Sequence, residues 1–308
     1  MKAVVVRETG GPEVMRLETV ADPEPGPDQV LIEVRAAAVN PIDWKYRRGV
    51  ASTSLPMTPG IDVSGVVKAT RSSDFAVGEE VCGFTISGGY AQLATADARH
   101  LVHKPADLDH EMAASVPVSG MTAWQALSSG GEIADGITVL VNGAAGGVGH
   151  LAVQFAALAG AGVIGVGSGR NRDFVLGLGA NQYVDYTIDT LSSVVSGADV
   201  VIDTVGGDST RPLVDVIDPG GRFVSVIYPE PVDWPITQAL VHAASAHSEL
   251  VVMRSNRSQL RHILDLVASG VVRVEMASIL PLQDADEAHG LSESGHTRGK
   301  IVLVPSQP

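Results

Sequence analysis

Residues 137–167, ITVLVNGAAGGVGHLAVQFAALAGAGVIGVG, contain the pattern that decides the fold of this chain. The β-branched run 137–141 predicts a buried strand, and the glycine-rich stretch 143–149 predicts a tight turn after it. Apolar residues at helical spacing over 148–158 predict a helix, and the run 163–166 predicts a second buried strand. Strand, turn, helix and strand in this order predict a β-α-β unit of a doubly wound parallel sheet.

The glycine-rich turn is typical of a site for the pyrophosphate of a dinucleotide. The spacing Ala144-x-Gly146-x-x-Gly149 fits G-x-G-x-x-G with alanine in place of the first glycine. The helix N-terminus offers N–H groups and partial positive charge to an anion. A purely structural turn would have the same letters, but the flanking elements favour binding. The predicted cofactor-binding residues of the turn are Ala144, Ala145, Gly146, Gly147, Val148 and Gly149.

The segment after the second strand indicates which dinucleotide binds. NAD sites usually place an acidic residue about 20 residues beyond the glycines, where it binds the ribose 2′-OH. This chain has no acid there and reads GSGRNR over 167–172. The guanidinium groups of Arg170 and Arg172 suit a 2′-phosphate, and the Ser168 hydroxyl can donate to it. The pattern favours NADPH; the alternative is that both arginines are solvated charges at the start of the next helix.

Length and composition set further limits. A chain of 308 residues suits two domains, and 45% hydrophobic residues with 34 glycines fit an α/β protein. The net charge of −14 argues against nucleic acid or an anionic membrane surface as a partner. Cys82 is the only cysteine, so no intramolecular disulfide is expected, and its acidic neighbours argue against a nucleophilic thiol. The first apolar run is too short for a signal peptide, and a cytoplasmic location is expected.

The texture of the sequence changes along the chain. Residues 1–110 alternate short strands with proline and glycine turns, which predicts an irregular all-β unit or small barrel. Strands and helices alternate from about 112 to 252, as in a doubly wound sheet. We expect the tail to return to the N-terminal domain, because its strands have no place in a completed six-stranded sheet. The predicted domains are 1–112 with 254–308, and 113–253. Individual predictions include strands at 90–94, 250–253, 271–276 and 300–304 and an amphipathic helix at 258–269.

Six further motifs are spread in order over nearly the whole chain. They are Val39-Asn-Pro-Ile-Asp-Trp-Lys45, Pro59-Gly-Ile-Asp-Val-Ser-Gly65, Gly120-Met-Thr-Ala-Trp124, Gly143-Ala-Ala-Gly-Gly-Val-Gly149, Leu178-Gly-Ala180 with Val184-Asp-Tyr186, and Gly299-Lys-Ile-Val-Leu303. With the domain order they resemble the zinc-free quinone oxidoreductase (zeta-crystallin-like) branch of the medium-chain dehydrogenase/reductase superfamily. The resemblance implies a GroES-like β-rich catalytic domain and a Rossmann domain that binds NADPH. It also implies hydride transfer from NADPH to a quinone or an α,β-unsaturated carbonyl.

The residues that would hold zinc are missing. The alcohol-dehydrogenase branch places Cys where this chain has Asp43 or a neighbour, and Gly-His-Glu where it has Gly60-Ile61-Asp62. His100 and His103 are three residues apart on a predicted strand and should point to opposite faces. We therefore predict no metal, and interpret Asp62 as structural. Without a Lewis acid, alcohol oxidation is disfavoured and reduction of an electrophilic π-system is favoured.

The segment 40–46 contains the catalytic candidates, because related proteins place it beside the nicotinamide and substrate. Negative charge builds on the carbonyl oxygen as hydride arrives, and a hydrogen-bond donor there would stabilise it. Asn40 could donate from its amide and Tyr46 from its phenol, while Lys45 could reach the nicotinamide ribose or the substrate. The alternatives are that Asn40 caps the next helix, Tyr46 packs in the core and Lys45 is a solvated charge.

The resemblance implies further cofactor contacts. Thr122 lies near the nicotinamide in relatives, or caps a helix here; Tyr186 approaches the 2′-phosphate in relatives, or packs at a strand end. The remaining cofactor candidates are at the ends of later strands and in the last motif: Val205, Gly206, Ser225, Val226, Ile227 and Lys300.

Other functions and the assembly stay open to test. One alternative is an enoyl reductase of a biosynthetic, polyketide-type pathway. Another is a non-catalytic NADPH-binding protein of the crystallin kind. Relatives pair through the edge of the dinucleotide sheet, and the predicted apolar strands 222–227 and 250–253 suit such an edge, so a homodimer is expected.

Overall fold

The chain forms two compact units in a computed structural model that describes residues 1–85, 88–228 and 234–306. The first unit is Met1–Met121 with Ser255–Pro308, and the second is Thr122–Arg254. The sequence suggested a boundary at 112/113, nine residues earlier. Residues 113–121 group with the first unit because a helix at His110–Ser115 packs on two strands of that unit, Gln29–Val39 and Asp62–Thr70.

The described residues of the first part of the chain, 1–85 and 88–129, form seven strands and three α-helices. Its strands are β1 (Lys2–Val6), β2 (Met15–Thr19), β3 (Gln29–Val39), β4 (Asp62–Thr70), β5 (Glu80–Phe84), β6 (Leu93–Asp97) and β7 (Leu101–His103). Its helices are α1 (Pro41–Arg47), α2 (His110–Ser115) and α3 (Pro117–Ser129), and the division between the units falls within α3.

The second unit continues with alternating strands and helices. Its strands are β8 (Thr138–Asn142), β9 (Gly162–Gly167), β10 (Gln182–Asp185), β11 (Ala198–Asp203), β12 (Ile217–Ser225) and β13 (His247–Leu250). Its helices after α3 are α4 (Gly149–Leu158), α5 (Arg172–Leu176), α6 (Leu191–Val194), α7 (Thr210–Val214) and α8 (Trp234–Ala243). The last part of the chain adds α9 (Arg257–Ala268), β14 (Met276–Pro281), α10 (Ala285–Glu293) and β15 (Lys300–Val304) to the first unit.

The second unit is a doubly wound sheet, as its sequence predicts. All strand pairs in the order β10-β9-β8-β11-β12-β13 are parallel. The central strands are buried almost throughout, which explains their continuous Val and Ile runs. The order reverses between β8 and β11, and the glycine turn follows β8 at this switch point, where open parallel sheets bind ligands.

The first unit is built on a seven-stranded sheet of order β14-β15-β3-β4-β5-β7, with β6 also paired to β3. A separate antiparallel pair joins β1 to β2. The long strand β3 has three partners and buries nearly all of its apolar residues, so the core forms around it. The C-terminal segment enters this core through β15, which pairs with β3 at Ala37–Val39.

Three predicted strands have different bounds in the structure. The strand predicted at 90–94 begins at Leu93, because Ala91 forms only an isolated bridge with Ala3 of β1 and the Tyr90 N–H donates to the Pro59 carbonyl instead of to a strand. The strand predicted at 250–253 ends at Leu250, because its partner β12 ends at Ser225; one last bond joins the Val251 N–H to the Ser225 carbonyl. The run 271–276 is a connection after α9, and pairing with β15 starts only at Met276.

The amphipathic helix predicted at 258–269 is confirmed as α9. Its predicted apolar face is the buried one, formed by Leu260, Ile263, Leu264 and Val267. Asn256 caps its first turn by accepting a hydrogen bond from the Gln259 N–H at 3.1 Å. Over the ranges that the structure describes, no helix is long and apolar enough to cross a membrane.

Candidate active site

The glycine turn of the second unit has the tight geometry that the sequence indicates. Gly143 has a φ of +75°, which favours glycine. A side chain at Gly149 would place its Cβ 2.1 Å from the Gly143 carbonyl oxygen, so only glycine lets α4 start this close to β8. Ala144 and Ala145 are buried beneath the turn. The His150 N–H donates to the Gly146 carbonyl at 3.1 Å and the Ala152 N–H to the Val148 carbonyl at 3.0 Å, so the turn leads directly into α4, whose N-terminus has the partial positive charge that favours an anion.

Asp203 organises the loop that follows β11. Its Oδ1 accepts hydrogen bonds from the Val205 and Gly206 N–H groups, both at 3.0 Å, and from the Asn142 amide at 2.9 Å. The bond from Asn142 joins this loop to the residue before the glycine turn. Gly206 has a φ of +76°, and a side chain there would place its Cβ 2.4 Å from Ile227. The candidates Val205, Gly206, Ser225, Val226 and Ile227 therefore lie together at the carboxyl ends of β11 and β12.

The segment 168–172 forms a short turn between β9 and α5. Ser168 is half-buried, and Arg170 and Arg172 are exposed. Tyr186 is 58% exposed, and its N–H donates to the Gly167 carbonyl at 3.2 Å. The exposure of Tyr186 argues against the packing alternative. The structure thus brings the four candidates for a 2′-phosphate to the carboxyl ends of β9 and β10.

Asp185, which the sequence analysis did not single out, lies beside this turn. It ends β10 in register with Gly167 and accepts a hydrogen bond from the Gly169 N–H. Thr187 donates to its Oδ1 from both the hydroxyl, at 2.7 Å, and the N–H, at 3.0 Å. These bonds hold the pKa of Asp185 below its ordinary value. The turn therefore has an anionic neighbour that opposes the attraction of the arginines for phosphate.

The catalytic candidates of the first unit lie at the start and in the last turn of α1. Asn40 is the N-cap residue, and its N–H donates to Oδ2 of Asp43 at 2.9 Å, which is one half of a capping box. Lys45 and Tyr46 are half-buried. Burial lowers the pKa of Lys45, whose ammonium lies 5.6 Å from the centre of the Trp44 ring. Lys45 is therefore not the fully solvated charge of the alternative interpretation.

A chain of buried hydrogen bonds holds α1 at both ends. Arg47 Nε donates to Nδ1 of His289 at 3.2 Å, so the proton of this imidazole is on Nε2, 3.3 Å from the Tyr90 hydroxyl. Tyr90 in turn donates to Asp43. Arg47 also forms an ion pair with Glu293. Burial and the charge of Arg47 lower the pKa of His289 to about 3, which keeps it neutral.

Lys300 and Asn40, predicted separately from the sequence, are in direct contact. Lys300 Nζ donates to Oδ1 of Asn40 at 2.6 Å, and the Asn40 amide donates to Asp62 at 2.9 Å. Burial raises the pKa of Asp62 to about 7 and that of Asp43 to about 6, although the charge of Lys300 opposes both shifts. The opposite effect, burial of a cation, lowers the pKa of Lys300.

The remaining predictions concern Thr122 and a metal. Thr122 is buried within α3, five residues after its start, so it does not cap this helix. No group of three or more His, Cys, Asp or Glu side chains among the described residues could hold a metal ion. Ile61, which aligns with the histidine of the Gly-His-Glu motif, has no ligand atom, and Asp43 and Asp62 both accept hydrogen bonds from protein groups. The residues present therefore do not fit zinc.

Comparisons with known proteins agree with this architecture. Residues 26–106 match the alcohol dehydrogenase GroES-like domain, and residues 178–303 match the zinc-binding dehydrogenase family. A quinone oxidoreductase of Lama guanicoe is 35% identical over 99% of this chain and 97% of that protein. A 2-haloacrylate reductase of Burkholderia is 31% identical over 98% of both chains. The crystal structure of Escherichia coli quinone oxidoreductase complexed with NADPH has a TM-score of 0.91 and 27% identity, covering 99% of this chain and 100% of that one.

The fold and the site define a two-unit oxidoreductase with a dinucleotide-binding sheet. The chain belongs to the quinone oxidoreductase branch of the medium-chain dehydrogenase/reductase superfamily, as the sequence motifs predicted.

Proposed function

We propose that this protein is a zinc-independent reductase that transfers hydride from NADPH to a quinone or an α,β-unsaturated carbonyl. The observation that carries the proposal is the glycine turn at the switch point of the parallel sheet, together with the basic turn 168–172. Full-length similarity to a quinone oxidoreductase and to a structure solved with NADPH supports the same activity. When bound, NADPH supplies the hydride from its nicotinamide ring.

The second unit provides the residues that would hold the cofactor. The pyrophosphate would bind at 143–149, where the space that a Cβ at Gly149 would need is already filled by backbone. The nicotinamide half would contact the loop at Val205 and Gly206, which Asp203 holds in place. The 2′-phosphate would bind Ser168, Arg170, Arg172 and Tyr186. Charge-assisted bonds from arginine are the strongest contacts available to a phosphate here.

The first unit provides the donors for the substrate. Asn40, Lys45 and Tyr46 would surround the carbonyl oxygen on which negative charge develops. Their N–H and O–H groups stabilise the transition state more than the neutral carbonyl, which is the requirement for catalysis. The proposed reaction needs no metal, and the described residues offer no cluster of three ligands for one.

The acceptor is either a quinone or an activated carbon–carbon double bond. Similarity to a 2-haloacrylate reductase favours the second class, because a haloacrylate has a double bond conjugated to a carboxyl group. An enoyl thioester of a biosynthetic pathway belongs to the same class. All three acceptors lack a hydroxyl that would need ionisation, so a metal-free site can reduce them.

A panel of acceptors tests the proposal. Oxidation of NADPH and of NADH is followed with a naphthoquinone, a simple enone, a 2-haloacrylate and an enoyl thioester. We expect NADPH to be oxidised with at least one of the first three acceptors. Turnover with the thioester alone would establish the biosynthetic alternative, and binding of NADPH without turnover on any acceptor would refute a reductase.

We also propose that the protein is a cytoplasmic homodimer. β13 ends the described six-stranded sheet and pairs only through β12, so its outer edge is available to a second copy. Val252, two residues after the end of β13, is an apolar residue with 47% of its surface exposed. Light scattering should give twice the chain mass of 31.9 kDa. A mass of one chain at micromolar concentration would refute the dimer.

A further inference from the structure

Three buried polar side chains of the first unit form a row. The ammonium of Lys300 donates to Oδ1 of Asn40 at 2.6 Å, and Nδ2 of Asn40 donates to Oδ2 of Asp62 at 2.9 Å. Lys300 is 3% exposed, Asn40 is 2% exposed and Asp62 is fully buried. The three residues come from β15, the segment before α1 and the start of β4.

Both charged members of the row have additional partners. Lys300 Nζ lies 3.4 Å from the Val39 carbonyl oxygen, and the Val118 N–H donates to both oxygens of Asp62 at 3.1 and 3.2 Å. Satisfying a buried charge in this way reduces its desolvation cost but seldom makes the pair better than apolar packing. A buried Lys–Asn–Asp row is therefore poor evidence for a contribution to stability. Its effect on the side chain of Asn40 is the property that matters for function.

The row fixes the orientation of the Asn40 amide. The Lys300 ammonium faces its oxygen, and the Asp62 carboxyl, whose oxygens also accept from the Val118 N–H, faces its nitrogen. A flipped amide would place its NH₂ against the Lys300 ammonium, where two donors face each other and the contact becomes repulsive. Hydrogen bonds in a chain also polarise one another, which makes the amide N–H a stronger donor. The amide has two N–H bonds, and only one is needed for Asp62.

We propose that Lys300 and Asp62 are positioning residues that lock and polarise the Asn40 amide so that its second N–H is held ready for the substrate oxygen. This inference rests on the proposed function, which assigns Asn40 to that oxygen. It gives Lys300 a role through Asn40 in place of the direct cofactor contact predicted from sequence.

A double-mutant cycle on turnover tests the proposal in the intact protein. Asn40→Ala should lower kcat by about 100-fold, the usual effect of removing one oxyanion donor. Lys300→Met should lower kcat by about tenfold through loss of the lock, with the KM for NADPH within about twofold of wild type. In the Asn40→Ala background, Lys300→Met should cause no further loss of kcat. Equal loss in both backgrounds, or a raised KM for NADPH, would overturn the positioning role.

Ser64→Ala is the matched structural control. Ser64 is fully buried on β4, two residues from Asp62, and bonds to the Val81 carbonyl and His110 rather than to Asn40. It should lower the melting temperature without changing kcat. If Lys300→Met does not fold, Asp62→Asn replaces it in the same cycle, because its amide keeps the shape of the carboxylate but removes the anion.

A readout independent of turnover separates this inference from the proposed function. The side-chain amide protons of Asn40 are observed in ¹H–¹⁵N spectra of wild type and of Lys300→Met. A locked amide exchanges slowly with solvent, and we expect exchange at least about tenfold faster in the variant. Unchanged exchange would overturn the lock even if turnover fell. Slow exchange in a wild type that oxidises no NADPH would retain the lock and refute the reductase.

Discussion

The hydroxyl of Tyr90 donates a hydrogen bond to Oδ2 of Asp43 at 3.0 Å, and both side chains are buried. The other carboxylate oxygen of Asp43 is buried without a hydrogen-bond partner among the described residues. Because Asp43 also accepts from the Asn40 N–H, this one contact links the segment before β6 to the start of α1.

Tyr90→Phe should destabilise the protein. The substitution leaves the phenyl packing in place but removes a donor from a buried carboxylate, which costs about 1–3 kcal/mol. Urea denaturation at pH 7 measures the free energy of unfolding. A change below about 0.5 kcal/mol would mean that Tyr90 contributes by packing alone.

His289→Gln should make the protein less sensitive to acid. The folded-state pKa of His289 is lowered to about 3 from 6.5, so between these pH values the unfolded chain binds a proton that the folded chain does not. The wild type therefore loses stability through this group as pH falls below 6.5, by about 2 kcal/mol at pH 5. The difference in unfolding free energy between pH 7 and pH 5 should be smaller in the variant by that amount. Identical pH dependence in both proteins would contradict a neutral, buried His289.

Arg170→Ala should weaken NADPH by about ten- to a hundredfold and leave NADH nearly unchanged, because only NADPH has the 2′-phosphate. Titration of each cofactor by fluorescence gives the two affinities. Arg211→Ala is the control, since this exposed arginine on α7 pairs with Asp215. If the wild type binds NADH as tightly as NADPH, the arginines of the turn are solvated charges.

Asp185→Asn should increase the preference for NADPH, by roughly two- to fivefold at low salt. The amide keeps an acceptor for Thr187 but removes the negative charge beside the turn 168–172. Asp135→Asn serves as the control. This exposed acid precedes the amino end of β8, whereas the turn 168–172 follows the carboxyl end of β9. An unchanged ratio of the two affinities would show that the Asp185 charge is screened from the phosphate.

Tyr46→Phe should lower kcat by at least about tenfold while the affinity for NADPH changes little. A bond made mainly to the developing oxyanion stabilises the transition state and not the bound cofactor. Steady-state kinetics with the best acceptor of the panel and a separate NADPH titration distinguish the two effects. Unchanged turnover would assign Tyr46 to packing.

The parts of the fold that the sequence predicts best are local. The glycine turn and its flanking elements lie within about 30 residues, and the apolar face of α9 within 12, so short-range spacing determines both. The positions of strand ends are harder to predict from the sequence. β13 stops at Leu250 because its partner β12 has ended, and no residue of β13 itself indicates this.

For the site, too, the sequence predicts single residues better than the contacts between distant ones. Asn40 and Lys300 were both identified, but their contact spans 260 residues and needs β15 to pair beside β3. The sequence does not point to Asp185, because the acid expected for a ribose follows the second strand, whereas Asp185 ends the third. Asp185 could be predicted only from the pairing of β10 with β9, because the carboxyl ends of neighbouring parallel strands lie side by side.

The discontinuous first unit sets the order in which a nascent chain can fold. Its sheet has a gap beside Ala37–Val39 until β15 is synthesised, whereas the second unit is one continuous segment that ends at Arg254, before β15 begins. At ribosomal speeds the interval between residues 121 and 304 lasts roughly 10 to 40 seconds. During it, Asn40 and Asp62 have no cation, and the open edge of β3 is available to other strands. Translation rate and chaperone supply should therefore govern the yield of the first unit far more than that of the second.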